Sequence, residues 1–116
     1  MSQKTTNYPV NTEQLSSQHG GSREFGPLML IYNLDLTQEK ITVTAKLMGT
    51  TIGTRVLDIK LSIPQSIDGS ISFYSAKVNL IIDSEEKRLN YNVSIDGFGS
   101  KIYKGSGALL EWFNQI

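Results

Sequence analysis

From residue 27 onward the chain alternates apolar and polar residues with a period of two, and turn-forming residues interrupt it at nearly regular intervals. Leu30-Ile31-Tyr32-Asn33-Leu34-Asp35-Leu36 and Ile41-Thr42-Val43-Thr44-Ala45-Lys46-Leu47 open the pattern. Leu57 to Ile63 and Leu89 to Ile95 repeat it. Successive side chains of an extended strand point to opposite faces, so this period puts one set in a core and the other in water. The pattern constrains the fold to an all-β class and says little about chemistry.

Seven strands are expected: Leu28 to Leu36, Lys40 to Met48, Thr54 to Ile63, Ser70 to Ile82, Lys87 to Ile95, Phe98 to Lys104 and Ala108 to Ile116. The last also fits a helical face through Leu109, Leu110, Trp112, Phe113 and Ile116, but nine residues are short for a helix. Asp68-Gly69 and Asp96-Gly97 read as two-residue hairpin turns. The apolar parity of the Ser70 to Ile82 segment changes near Ser75, as an inserted bulge residue would make it do. Pro64 cannot donate to a ladder, so the strand before it ends at an edge, a bulge or a bend.

Short connections make consecutive strands antiparallel neighbours. An antiparallel meander of about seven strands must hide two open edges, either by closing into a small barrel or by folding into a two-sheet sandwich. Two echoes run through the chain. Ser66-Ile67-Asp68-Gly69 recurs as Ser94-Ile95-Asp96-Gly97, and Leu30 to Gly49 aligns without gaps on Val78 to Gly97, matching Asp35 to Asp83. Similar hairpins need similar turn residues, which accounts for both echoes without a duplicated half.

The expected domain organisation is a polar arm over residues 1–26 and a single β domain over 27–116. The arm is rich in Gln, Ser, Thr, Asn and Gly, with few apolar residues to offset the entropy of ordering. It reads as a flexible tail, or as a segment that docks on its own domain or on a neighbouring subunit. Met1-Ser2-Gln3-Lys4-Thr5-Thr6 holds no apolar leader, and no run approaches the roughly 18 apolar residues of a spanning helix. A cytoplasmic protein with no membrane span is the default expectation.

Eleven basic and eleven acidic side chains cancel, so no global field steers nucleic acid toward the chain. Cysteine is absent, which excludes disulfides, thiolate metal sites and a cysteine nucleophile. The single histidine, His19, lies in a glycine-rich stretch, so neither a metal site nor a Ser-His-Asp relay can be assembled. Asp35 and Asp83 precede turns, and Glu85-Glu86 sit in one. Nothing in their spacing sets two carboxylates facing one another about 5 to 9.5 Å apart. Gly97-Phe98-Gly99 and Gly105-Ser106-Gly107 lack the context of a phosphate loop. Asn92-Val93-Ser94 is a glycosylation sequon inside an expected strand. No enzymatic activity, cofactor or metal is expected.

Two segments are apolar on both parities: Leu28-Met29-Leu30-Ile31, and Val78 with Leu80, Ile81 and Ile82. Met29, Ile31 and Ile81 therefore lie on the face away from the core and need a cover. A homo-oligomer contact or a protein partner would supply it. The leading expectation is a non-enzymatic β module acting through self-association or protein binding, with Met29, Ile31 and Ile81 as its interface. The alternative is a small barrel holding an apolar small molecule, with inward Tyr32, Phe73 and Tyr91 lining its mouth.

Overall fold

The computed structural model describes residues 18–112, and within them every element is a strand. The order is β1 (Gln18–Phe25), β2 (Leu28–Asp35), β3 (Lys40–Leu47), β4 (Thr50–Asp58), β5 (Gln65–Ile71), β6 (Tyr74–Asp83), β7 (Arg88–Gly97) and β8 (Ser100–Glu111). They make two four-stranded antiparallel meanders, β1-β2-β3-β4 and β5-β6-β7-β8. No ladder joins the two sheets, so the all-β expectation holds as a sandwich and the closed barrel does not form.

The period of two explains the packing. On β3, Ile41, Val43, Ala45 and Leu47 are fully buried, and on β6 the same is nearly true of Ala76, Val78, Leu80 and Ile82. Leu28, Leu30 and Leu34 of β2 and Leu89, Val93 and Ile95 of β7 complete the facing layers. Each such side chain contributes about 1.5–3 kcal/mol when taken out of water. Phe25 and Trp112 close the interior at the two ends of the β1–β8 side, each nearly buried.

The four outer strands show how the sandwich manages its edges. On one side β4 lies against β5 through a reciprocal pair of contacts. A Cβ on Gly53 would come within 2.7 Å of Ile67 Cγ2, and one on Gly69 within 2.9 Å of Ile52 Cβ. Ile52 is the extra residue of a bulge where β4 slips against β3, which turns it toward Gly69. On the other side β1 meets β8. Arg23 donates to the Ala108 and Leu109 carbonyls at 3.0 and 3.4 Å, and the Phe25 ring packs 5.0 Å from Tyr91 and 5.6 Å from Tyr103. Arg23 and Arg55 occupy core-side positions of edge strands, where a charge discourages pairing with another chain.

Several expectations change. Gln18–Phe25 is a strand laid along β2, while residues 1–17 lie outside the described part. Asp68-Gly69 sits inside β5 and Asp96-Gly97 ends β7, neither glycine having positive φ. The turns fall instead at Ser72-Phe73 and Phe98-Gly99, with φ of +57° at Ser72 and +54° and +81° at Phe98 and Gly99. Both strand glycines face inward and yield their missing side-chain space to a neighbour, Ile52 for Gly69 and Tyr74 for Gly97. The parity change near Ser75 is therefore a hairpin between two strands rather than a bulge within one. Pro64 lies in the crossing segment between the sheets. The C-terminal stretch is strand to Glu111, continuous with the Phe98 to Lys104 segment; Phe113 to Ile116 lie outside the described residues.

The echo around Asp35 and Asp83 is structural. The alignment slips by two residues at its end, where Met48 matches Phe98, and the Ser-Ile-Asp-Gly echo falls on β5 and β7, which hold different places in their sheet. Both meanders have connections of two, four and two residues. In the four-residue turns, Gln38 N donates to Asp35 Oδ1 at 3.1 Å and Glu86 N to Asp83 Oδ1 at 3.0 Å. Each such turn ends in a left-handed residue, Glu39 at +58° and Lys87 at +54°. Met48 N donates to Pro27 O and Phe98 N to Phe73 O; Ile59 N donates to Glu39 O and Trp112 N to Lys87 O. Turn chemistry alone does not require these matching long-range bonds, so the two halves are one repeated four-strand unit.

Two stability measurements check this packing. Val93→Ala should cost on the order of 1–3 kcal/mol in urea unfolding, from lost burial and the space left behind. Gly53→Ala should cost about 1–3 kcal/mol by crowding Ile67 Cγ2, and the same substitution should cost less in an Ile67→Ala background, which lacks that atom. A Gly53→Ala protein as stable as its parent would contradict the close approach of β4 and β5.

Candidate functional site

Gly53 approaches Ile67 while Ile52 approaches Gly69, so β4 and β5 run in opposite directions across the interface. Arg23 over Ala108 and Phe25 over Tyr103 give the same relation for β1 and β8. All four two-residue turns therefore gather at one end of the sandwich: Gly26-Pro27, Met48-Gly49, Ser72-Phe73 and Phe98-Gly99. The two four-residue turns and Trp112 lie at the other.

The end with the short turns is apolar and open. Phe73 and Phe98 are 68% and 69% exposed, their rings stacked at 5.1 Å, and the Tyr74 ring meets Phe98 edge-on at 5.5 Å. Met48, at the repeat-equivalent position to Phe98, is 53% exposed. Both residues hold positive φ, +53° at Met48 and +54° at Phe98, a conformation that glycine or asparagine adopts more readily. A large apolar side chain there meets neither a packing need nor a backbone preference. That mismatch marks the turns as a candidate surface for binding.

Charge divides along the same axis. Around the short turns lie Arg23, Lys46, Lys77, Lys101 and Lys104 against Glu24, Asp68 and Asp96. At the other end lie Asp35, Glu39, Asp58, Asp83, Glu85, Glu86 and Glu111 against Lys40, Lys60, Lys87 and Arg88. The chain is neutral overall yet polar end to end, with cations in excess at the apolar tip. At the acidic end Lys60 pairs with Glu39 at 3.2 Å, and its pKa rises through that hydrogen bond, helped by the charges of Glu39 and Asp58.

Met29 and Ile31 project from β2 onto the outer face of the first sheet, half-buried among neighbours. Across that face run the rows Ser22, Ile31, Thr44, Thr54 and Gly20, Asn33, Thr42, Val56, none of them charged. Thr44 and Thr54 share a hydroxyl hydrogen bond at 3.1 Å, and Val56 is exposed. Ile81 is 40% exposed on the outer face of the second sheet, in a depression of about 230 Å³ with Asn79, Asn90 and Asn92. Met29 and Ile31 form one patch; Ile81 belongs to the opposite surface.

Tyr32 and Tyr91 point inward, as expected, but each lies over a glycine of an edge strand. A Cβ on Gly21 would strike the Tyr32 hydroxyl at 2.6 Å, and Gly107 faces Tyr91 at 3.4 Å. Phe73 is at the tip and joins neither. The three do not line one mouth, and the space between the sheets is filled by the core. His19 is half-buried opposite Leu34, and Asp35 and Asp83 each accept a backbone N–H within their own turn. Among the described residues no three His, Asp or Glu side chains converge as a metal-binding group.

Fold and surface together define a two-sheet antiparallel sandwich, built from a repeated four-strand unit, with one apolar cationic end. Comparison with family models, curated proteins and solved structures finds no match. The sequence reading did not single out Phe98, Met48 or Val56. The signal for Phe98 was present as an aromatic followed by glycine where a turn was due, but Asp96-Gly97 drew the assignment two residues early.

Phe98→Asn should shift stability by no more than about 0.5 kcal/mol in urea unfolding, because relief of the left-handed backbone offsets the lost ring contact. A loss comparable to that of a core truncation would show that the tip serves packing after all.

Proposed function

We infer that this protein is a non-enzymatic β module that acts by self-association, through the outer face of its first sheet. The observation that carries the reading is the uncharged band across all four strands, in which Ile31 and Val56 stand among Thr42, Thr44 and Thr54. A flat face of β-branched side chains suits sheet-to-sheet packing, and a second copy is the commonest cover for such a patch. Four strands about 4.8 Å apart and eight residues at about 3.3 Å each give a pair of copies on the order of 1,000 Å² over the whole face, of which the uncharged rows, flanked by Glu24 and Lys46 on one side and Asp35, Lys40 and Asp58 on the other, make up about half. Ile81, on the other surface, takes no part. The small-molecule alternative draws less support, since Tyr32, Tyr91 and Phe73 are apart and no barrel encloses a cavity.

Ile31→Lys is the test. A lysine buried in that contact would lack a partner, so native mass spectrometry should show dissociation already at a concentration about a hundredfold higher than for the parent. A parent protein that is monomeric at high concentration would refute the reading.

A further inference from the structure

We propose that the end carrying the four two-residue turns seats on an anionic phospholipid surface, with Phe73 and Phe98 entering the boundary between headgroups and acyl chains. This surface borders the self-association face at Lys46, which lies beside Met29, but does not depend on it.

Four observations converge. The first is the exposed pair itself. Phe73 and Phe98 stack on each other at 5.1 Å and still leave about two thirds of their surface open. Apolar rings at loop tips reach into an interface that a flat sheet face cannot enter.

The second is repetition. Met48 and Phe98 hold the same position of the repeated unit, both at left-handed φ and both exposed. An apolar residue therefore occurs twice where backbone geometry favours glycine or asparagine. The fold does not require it at either site.

The third is the state of the backbone at the tip. Met48 N donates to Pro27 O at 2.9 Å and Phe98 N to Phe73 O at 3.0 Å, tying the neighbouring turns of each sheet together. Polar backbone groups satisfied in this way are cheaper to remove from water than those of an open loop.

The fourth is charge. Arg23, Lys46, Lys77, Lys101 and Lys104 outnumber Glu24, Asp68 and Asp96 toward the tip, even with Lys101 paired to Asp96 at 3.0 Å, and the carboxylate excess lies at the far end. An anionic surface attracts the tip and repels the opposite end, which sets orientation as well as affinity. The same distribution disfavours two tips meeting head to head, since like charges would face each other.

The test uses the full chain and sedimentation with two vesicle preparations, phosphatidylcholine alone and phosphatidylcholine with phosphatidylserine. The parent should sediment with the phosphatidylserine vesicles, much less with phosphatidylcholine alone, and added salt should weaken the binding. Phe73→Ser/Phe98→Asn should lower partitioning at least about tenfold. Lys46→Glu should weaken it by about tenfold as well. Far-UV circular dichroism and the unfolding midpoint check that each variant folds; if the double variant does not, Phe98→Asn alone carries the comparison.

Three results would overturn the proposal: no sedimentation of the parent, equal binding to both vesicle types, or a folded double variant that binds like its parent. If the double variant changes the subunit count while neither protein binds vesicles, the tip is a contact between protein chains and the lipid proposal fails.

Discussion

Each meander carries one apolar face that water does not tolerate, and the only cover of matching size within the described chain is the other meander. Everything else in the structure follows from that mutual burial. Strands that alternate strictly, as β3 and β6 do, place every second side chain in the shared layer and free the intervening positions. The freed positions become two outer faces of different character, threonine and aliphatic on one sheet, asparagine and serine around Ile81 on the other. The turns, released from packing duty, carry whatever chemistry the local backbone allows.

That last point accounts for the polarity of the molecule. A meander with connections of two, four and two residues places its longer turn alone at one end. The longer turns need an aspartate to accept their backbone N–H groups, as Asp35 and Asp83 do. The shorter turns need positive φ, not charge. Repeating the unit in the same orientation then stacks acid on acid at one end and apolar residues on apolar residues at the other. The separation of charge is a product of turn geometry combined with two similar meanders stacked in the same orientation.

The fold class, the antiparallel order and most of the core were legible because a period of two leaves little freedom: Ile41, Val43, Ala45, Leu89, Val93 and Ile95 are buried as their spacing requires. Turn placement was less legible. Asp-Gly reads as a hairpin because glycine accepts positive φ, yet Gly69 and Gly97 are present for lack of a side chain, to admit Ile52 and Tyr74. Those partners come from other strands, and no local pattern announces them. The strand at Gln18–Phe25 was hidden for the same kind of reason, since Phe25 is its one buried apolar residue. The apolar pair at Met29 and Ile31 was visible as doubled parity, but parity along a strand does not say that Ile81 faces the other way in space. The tip was invisible for lack of topology: only the antiparallel stacking of the sheets brings Phe73, Phe98 and Met48 to one end.

The make-up of β1 sets the order in which the structure opens. Its core-side positions are His19, Gly21, Arg23 and Phe25, so it buries a single large apolar side chain, beside the bonds of the Arg23 guanidinium and the ladder to β2. Its neighbour β2 and the next strand, β3, bury three and four aliphatic side chains respectively. Local opening takes the path of least lost burial, so the amides of β1 should exchange with deuterium well before those of β3 or β7. While β1 is away, β2 becomes a bare edge bearing Leu28, Leu30 and Leu34, the kind of edge that accepts the same strand from another copy. An edge strand held this lightly is a gate to strand exchange between molecules, with Arg23 as its latch.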